Sequence, residues 1–243
     1  MKFRQIILIT ASALLLFIAS CQEDNAKARL AFSANDSISA KKNSLSFTDF
    51  KFDSASMILE NIKLRNNFLL DTIFETVEDS LDYWENLEFY SASFYGPYMV
   101  NLIEGTSSPI IEIVEVEPGI YNSIEAFMGN GKGDSVSFYL SGTAINNLQS
   151  NRFEFKYSYG SVFKLENPSG FEIIEHQTNV IWVKIDLNNL IEVGILENAE
   201  KDNDGIIRIN KESNAELIDS IIQNLNAYSE LGYDMNMDGE IDN

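Results

Sequence analysis

Thiol and imidazole groups are nearly absent from this chain of 243 residues, which has one cysteine, Cys21, and one histidine, His176. A single cysteine cannot form an intrachain disulfide, and one thiol with one imidazole falls short of a structural zinc site. A Ser-His-Asp triad would have to use His176. Neither a Gly-x-Ser-x-Gly elbow nor a Gly-x-x-x-x-Gly-Lys loop occurs. The chain therefore lacks the common sequence signatures of catalysis, and we interpret His176 as a surface residue.

Basic residues are also scarce, since 17 Lys and Arg stand against 37 Asp and Glu, a formal charge of −20. A protein this acidic repels the phosphate backbone of nucleic acids, so we expect no nucleic-acid partner. Cations are natural partners for such a chain. The simpler interpretation is that the acidic residues keep a surface protein soluble.

A long apolar run occurs at the N terminus. Lys2 and Arg4 precede the apolar stretch 6–19, which leads to Ile18-Ala19-Ser20-Cys21. A basic start, a short apolar core and small residues before a cleavage point are typical of a secretory signal peptide. The last four residues resemble the lipobox of bacterial lipoproteins, whose cysteine receives acyl chains such as palmitate. We therefore predict a signal peptide over residues 1–20 and a lipid on Cys21, which leaves no free thiol for a metal or a nucleophile.

The residues after Cys21 are polar and acidic and read Gln22-Glu23-Asp24-Asn25. They resemble the surface-export signal of lipoproteins in the Bacteroidetes group. The alternative interpretation is a solvated tether, which we place at residues 21–29. We therefore expect an outer-membrane lipoprotein, exposed at the cell surface and attached to the membrane through Cys21.

Most of the mature chain alternates apolar and polar residues, as strands with one buried face do. In 153–159, for example, aromatic residues alternate with Glu154, Lys156 and Ser158. Similar patterns predict strands at 45–52, 57–64, 110–116, 136–140 and 181–187. Turn signals separate these strands. The pattern predicts a mainly β protein, with an antiparallel β-sandwich of immunoglobulin-like or related type over residues 30–196.

Residues 197–243 form a more acidic tail. Ser213 and Glu216 fit a capping box, Ser-x-x-Glu, at the start of a predicted helix. The apolar face of this helix should dock on the sandwich or on the second half of the tail, and it consists of Leu217, Ile218, Ile221, Ile222 and Leu225.

The tail ends in a nine-residue match to an EF-hand calcium loop, from Asp234 to Asp242. In such a loop, alternate oxygen donors converge on one cation, the glycine at position six permits the turn, position seven offers its carbonyl, and the apolar residue at position eight anchors the loop. The bidentate acid of position twelve would be residue 245, so we expect either low affinity or closure by another residue. The predicted calcium ligands are Asp234, Asn236, Asp238, Glu240 and Asp242.

A weaker copy of the same loop runs from Glu200 to Arg208, with Gly205 at position six. Its predicted calcium ligands are Glu200, Asp202, Asp204 and Ile206. Arg208, at position nine, and Lys211, at position twelve, depart from the pattern. Gly205 and Gly239 lie 34 residues apart, a spacing similar to that of paired EF-hands and dockerin modules, so the tail resembles a degenerate pair of calcium loops. The alternative is that both segments are acidic turns without a metal.

Several segments together resemble lipoproteins that carry the domain of unknown function 4382. The similarity spans residues 30–196 and implies a secreted β-sandwich, without a reaction or catalytic residues. Its motifs are Gly96-Pro97-Tyr98, the segment 100–109, the segment 116–121 with its Pro118-Gly119 turn, and the strand 183–187.

We expect a lipid-anchored binding or assembly module, stabilised by calcium and partnered by a surface glycan or protein. Two alternatives stay open. One is a carboxylate-dependent hydrolase acting on glycans, which would need two acids at a set separation. The other is a purely structural surface or adhesion protein. Surface aromatics can stack on sugar rings, although core packing is the simpler role for the aromatic cluster of Tyr83, Trp84, Phe89, Tyr90, Phe94, Tyr95 and Tyr98.

Overall fold

A computed structural model describes residues 25–34, 48–65, 92–129, 136–146, 149–191, 196, 198–234 and 241–242. This part of the chain is mainly β, with several sheets and one short C-terminal helix, so the predicted fold class is confirmed. The signal peptide and Cys21 lie outside the described residues. The strands are β1 (Ala26–Ala34), β2 (Thr48–Arg65), β3 (Ala92–Phe94), β4 (Tyr98–Asn101), β5 (Thr106–Ser108), β6 (Val114–Val116), β7 (Gly119–Met128), β8 (Phe138–Asn146), β9 (Gln149–Tyr157), β10 (Ser161–Ile173), β11 (Thr178–Ile185), β12 (Ile207–Ile209) and β13 (Ser229–Tyr233).

The strands form two sheets. The smaller has the order β13-β11-β1-β6, and the larger has the order β10-β7-β2-β8-β9-β12, with β3 and β4 paired to β2 and β5 paired to β4. Most neighbours are antiparallel, as predicted. Two pairs are parallel instead: β1 with β11, and β9 with β12. Strand pairs of this kind join segments far apart in sequence, so the local pattern of neither segment predicts them.

Strand β2 replaces two strands predicted at 45–52 and 57–64. It is continuous from Thr48 to Arg65, and residues 45–47 lie outside the described part. Its register shifts between Phe52 and Ser54 against β8, and between Glu60 and Lys63 against β7. Irregularities of this kind bend a strand without ending it. The first part of β2 therefore pairs with β8 and its last part pairs with β7, although the alternation of buried and exposed residues along β2 is interrupted.

The core lies between the sheets and is built from the inward positions of each strand. Phe138 and Phe155 are fully buried and meet edge to face, with ring centroids 5.6 Å apart. Phe153 contacts Phe52 in the same way at 5.8 Å. Burial of each such ring stabilises the fold by roughly 1.5–3 kcal/mol relative to an exposed ring. The alternation in 153–159 thus predicts correctly which side chains of β9 point inward.

Two predicted boundaries are wrong. Strand β1 begins at Ala26, so residues 26–29, predicted as tether, belong to the sandwich. The reason is that Ala26 and Ala28, small and inconspicuous in sequence, are fully buried. The strand predicted at 110–116 is regular only over Val114–Val116, because Ile110 and Ile113 are exposed rather than buried.

The acidic tail contributes a strand to each sheet, which its sequence pattern does not predict. Strand β12 pairs with β9, and β13 pairs with β11. Between them, a 3-10 turn at Ala215–Leu217 leads into helix α1, Ile218–Ala227, which buries Ile218, Ile221 and Leu225. The predicted apolar face is therefore the packed face.

The predicted capping box of α1 is wrong. Asn214, not Ser213, precedes the 3-10 turn, and it has a left-handed backbone with φ of 50°. Its side chain donates to the carbonyl oxygens of Glu200 and Arg208, at 3.0 and 2.7 Å. Asn214 therefore fastens the start of the helix to the upstream acidic loop.

Candidate functional site

Residues 200–208 form a tight acidic loop that leads into β12. The main-chain carbonyl oxygen of Asp202 accepts a hydrogen bond from the N–H of Gly205 at 2.8 Å. The N–H of Asp202 donates to the carbonyl oxygen of Ile206 at 3.0 Å. Gly205 has φ of 78°, a left-handed conformation that glycine adopts at no steric cost. The glycine at position six therefore makes the sharp turn that the calcium-loop pattern predicts.

The guanidinium of Arg208 is shared by three carboxylates. Its Nη1 lies 2.5 Å from Oδ2 of Asp202, its Nη2 lies 2.6 Å from Oδ2 of Asp204, and its Nε lies 3.5 Å from Oε2 of Glu154. The parallel pairing of β12 with β9 sets Arg208 directly opposite Glu154. Arg208 thus pairs with Asp202 and Asp204, two of the predicted calcium ligands, and also with Glu154 of β9.

The protonation equilibria follow from these contacts. The hydrogen bond from Arg208 lowers the pKa of the Asp204 carboxyl, and the N–H of Ile206 lowers it further. The same two aspartates raise the pKa of Arg208. Burial opposes ionisation of Glu154, but hydrogen bonds from Lys156 and Tyr139 and the charge of Arg208 outweigh it, so its pKa is lowered. Asp204, Glu154 and Arg208 are therefore charged at neutral pH.

This arrangement does not fit a calcium ion at the upstream loop. The carbonyl of Ile206, predicted as a ligand, already accepts the N–H of Asp202. The side chain of Glu200 is exposed, and its main-chain N–H donates to Oδ1 of Asn214 at 2.8 Å. Calcium would have to displace Arg208 from Asp202 and Asp204 before it could bind. The structure therefore brings two of the four predicted ligands together, but around an arginine.

The C-terminal loop begins on the smaller sheet. Asp234, its first predicted ligand, follows β13 directly and is only 4% exposed. Oδ2 of Asp234 accepts a hydrogen bond from the indole N–H of Trp182 at 3.2 Å. Trp182 lies in β11 opposite Gly232 of β13. The antiparallel pairing of these two strands therefore fixes the position of the first carboxylate.

The same loop returns to β13 at its ninth position. The N–H of Asp242 donates to the carbonyl oxygen of Tyr233 at 2.9 Å and closes an isolated β-bridge. Ile241, at position eight, packs on Gly232: a Cβ built on that glycine would lie 2.1 Å from Cγ2 of Ile241. The predicted anchoring role of position eight therefore has a structural counterpart. Asn236, Asp238 and Glu240 lie outside the described residues.

The carboxylates at both ends of this loop affect the pKa of Tyr233. Burial raises the pKa of its phenol, and the negative charges of Asp234 and Asp242 raise it further. The side-chain amide of Gln177 lies 3.2 Å from the phenol oxygen. The carboxylates at the first and ninth positions of the loop therefore both lie near the phenol of Tyr233.

The remaining candidates are placed as follows. His176 is exposed in a turn with φ of 62°, and its Nε2 lies 3.8 Å from Oε2 of Glu175. Of the aromatic cluster, Phe94 and Tyr98 are buried and Tyr95 is 77% exposed, while Tyr83, Trp84, Phe89 and Tyr90 lie outside the described residues. Across the described ranges, no group of three His, Cys, Asp or Glu side chains is arranged to hold a metal.

Comparisons with known protein families, with curated proteins and with solved structures found no match to this chain. The resemblance to the 4382 family therefore stays a prediction from short motifs. None of the helices in the described ranges is both long enough and apolar enough to cross a membrane.

Sequence reasoning missed two parts of the site. The calcium-loop pattern treats Arg208 only as a departure at position nine, although Asp204 and Asp202, four and six residues before it, are possible partners for its guanidinium. Trp182 carries no local signal, because its partner Asp234 is 52 residues away. The spacing of a motif predicts which residues can converge, but tertiary pairing decides what they meet.

Proposed function

We propose that this chain is a lipid-anchored binding or assembly module of the bacterial outer-membrane surface, and that calcium in its C-terminal loop stabilises it. The lipid attaches at Cys21, and the partner is a surface glycan or protein. The cation binds between Asp234 and Asp242, with Asn236, Asp238 and the carbonyl of Glu240 as the remaining ligands. Calcium sites of extracellular modules work at dissociation constants of about 0.1–1 mM.

The buried position of Asp234 is the observation that carries this proposal. Asp234 is only 4% exposed, and its carboxylate accepts the indole N–H of Trp182 at 3.2 Å, which holds the first predicted ligand in place at the start of the loop. A divalent cation would compensate the charges of Asp234 and Asp242 together. The upstream loop needs no such cation, since Arg208 pairs with Asp202 and Asp204.

The anchor and the calcium loop would lie at the same end of the sandwich. Four residues separate Cys21 from Ala26, the first residue of β1, and the five Cα–Cα steps between them span at most about 18 Å. Strand β1 runs parallel to β11, and β13 runs antiparallel to it, ending at Tyr233 opposite Ile181. Asp234 therefore lies toward the end of the sandwich at which β1 begins, and a lipid on Cys21 would make this the membrane-proximal end.

The anchor is tested by Cys21→Ser in the full chain. We expect wild-type protein to fractionate with outer membranes and to incorporate labelled palmitate, and the variant to incorporate none. Protease added to intact cells should degrade the wild-type protein if it faces outward. Unchanged labelling of the variant would refute lipidation at Cys21.

The calcium site is tested by thermal unfolding of the soluble domain that begins at Gln22, in calcium and in chelator. Calcium at ten times its dissociation constant should stabilise the fold by about 1.4 kcal/mol, which raises the melting temperature by roughly 3–6 °C. Asp238→Ala should lose this increase, whereas Asp219→Asn, on the exposed face of α1, should retain it. Equal losses of stability by Asp238→Ala in calcium and in chelator would refute a metal at this loop.

A further inference from the structure

Two isoleucine side chains are exposed as neighbours on the outward face of the larger sheet. Ile120, near the start of β7, is 51% exposed, and Ile174, which follows β10 directly, is 40% exposed. Glu172 lies opposite Ile120 in the pairing of β10 with β7. Since Ile173 is buried, Glu172 and Ile174 lie on the same side of β10, and diagonal neighbours across a strand pair are about 7–8 Å apart. Ile120 and Ile174 therefore form one small apolar patch, which we call the isoleucine pair.

The isoleucine pair lies beside the first residues of β1. The side-chain amide of Asn179 donates to the carbonyl oxygen of Ile174 at 3.0 Å and to that of Lys27 at 3.1 Å. The main-chain N–H of Ile174 donates in turn to Oδ1 of Asn179 at 3.0 Å. Asn179 is fully buried, and Lys27 is the second residue of β1. One core side chain thus connects the isoleucine pair to the strand that follows Cys21.

Ile120 reaches the same end of the sandwich along the chain. Strand β6 pairs with β1 so that Val116 lies opposite Ala26, and only residues 117–119 separate Val116 from Ile120. Cys21 is five Cα–Cα steps from Ala26 and therefore lies within about 18 Å of it. A lipid on Cys21 would hold this end, and with it the isoleucine pair, next to the membrane surface.

The charges around the isoleucine pair do not favour anionic headgroups. A chain of charge −20 has no general attraction for them, so contact with lipid must come from apolar side chains. Such a contact can be weak, because linkage to the membrane replaces free encounter by an effective concentration of about millimolar. The neighbouring ionisable residues are Lys27, Glu172, Glu175 and His176.

We propose that this end of the sandwich rests on the lipid surface that anchors the chain, with the side chains of Ile120 and Ile174 inserted among the headgroups. The contact adds to the anchor and rests on the proposed lipid at Cys21. It requires neither calcium nor a glycan or protein partner.

Fluorescence of the mature lipoprotein, purified in detergent and reconstituted into phosphatidylcholine vesicles in chelator, tests this contact. A lipid on Cys21 blocks its thiol, so a cysteine introduced elsewhere is the only site for a thiol-reactive dye whose emission depends on polarity. We expect the dye at Ile120→Cys, and equally at Ile174→Cys, to shift its emission to shorter wavelength on reconstitution.

Ile145→Cys is the matched control. Ile145 is an isoleucine of similar exposure, 42%, and it pairs with Asp49 near the first residue of β2. The start of β7, which carries Ile120, lies instead beyond the pairing of Ser123 with Arg65, the last residue of β2. The length of β2 therefore separates the two positions, and the dye at Ile145→Cys should show no shift.

Two further comparisons distinguish insertion from proximity to the membrane. Ile174→Gln should reduce the shift of the dye at Ile120→Cys, whereas Ile145→Gln should leave it unchanged. The shift should also persist at about 1 M salt, where the Debye length falls to roughly 3 Å. Its loss in salt would mean that charge, and not apolar contact, holds this end at the membrane.

Four other results would overturn the proposal. Vesicles that carry the chain without a shift would mean that the anchor exists but the isoleucine pair does not touch lipid. A wild-type chain that takes up dye and stays outside the vesicles would refute the lipid on Cys21 and this contact with it. A shift already present in detergent, growing with protein concentration, would mean that a second copy covers the patch. An equal shift at Ile145→Cys would mean that the contact is not specific to this end.

Discussion

Trp182 donates its indole N–H to Oδ2 of Asp234 at 3.2 Å, across the pairing of β11 with β13. This contact connects the first position of the C-terminal loop to the middle of the smaller sheet. It also places a fluorescent side chain against the predicted first ligand of the calcium site. Any change in the charge or position of Asp234 should therefore reach the emission of Trp182.

Trp182→Phe should lower the free energy of unfolding by about 1–3 kcal/mol, because a donor to a buried carboxylate is lost. It should also weaken calcium binding, since Asp234 is no longer held in place. Urea unfolding measures the first effect, and calorimetry measures the second. Trp84→Phe serves as the control for indole content, and a loss of stability equal to that of Trp182→Phe would contradict the role of the contact.

Gly232→Ala should destabilise the fold by about 1–3 kcal/mol through overpacking, since its new Cβ would meet Cγ2 of Ile241 at 2.1 Å. Ile241→Ala removes that conflict. The double variant should therefore be more stable than the sum of the two single changes predicts, which urea unfolding of all four proteins measures. Strict additivity would mean that Ile241 does not pack on Gly232.

Arg208→Gln should lower the melting temperature in chelator, because Asp202, Asp204 and Glu154 would then repel one another without a cation. Calcium should restore more stability to this variant than it adds to the wild-type protein, since the upstream carboxylates become available to the metal. Lys211→Gln, another loss of positive charge in the same tail, is the matched control. A variant as stable as the wild type in chelator would contradict the role of Arg208.

The decrease in the free energy of unfolding at acidic pH should also depend on Arg208. The pKa of Asp204 is lowered in the folded state, so its contribution is present above the ordinary carboxylate pKa of about 4 and is lost as pH falls through the lowered value. The pKa of Glu154 is also lowered in the folded state, so its contribution to stability is lost with acid in the same direction. Urea unfolding from about pH 7 to about pH 3 should show a shallower decline for Arg208→Gln than for the wild type. Parallel curves would show that the lowered pKa values do not arise from Arg208.

The sequence predicted the strands whose alternation is long and strong. The buried apolar positions of β9 and β11 are those expected, because a period of two over seven or more residues leaves one choice of inward face. Lys184, predicted on the opposite face of β11, is buried as well. The helix face of α1 follows in the same way from its period of 3.6. Strands β12 and β13 are not predicted, because segments of three and five residues are too short to show a clear alternation. Their stability comes from pairing with β9 and β11, which are distant in sequence.

The candidate site was predictable in its spacing but not in its charge pairing. Gly205 turns as the calcium-loop pattern predicts, and Ile241 packs as position eight should. The pattern did not indicate that Arg208 would occupy the space between Asp202 and Asp204. Whether an acidic loop binds a metal or an internal cation depends on which side chains tertiary pairing brings to it.

Calorimetric titration of the soluble domain from Gln22 with calcium, repeated with Asp238→Ala, shows whether the C-terminal loop binds calcium. We expect one saturable site with a dissociation constant of about 0.1–1 mM, with a parallel change in Trp182 emission, and the loss of both in the variant. Absence of saturable binding up to several millimolar calcium, or binding that Asp238→Ala leaves unchanged, would contradict it.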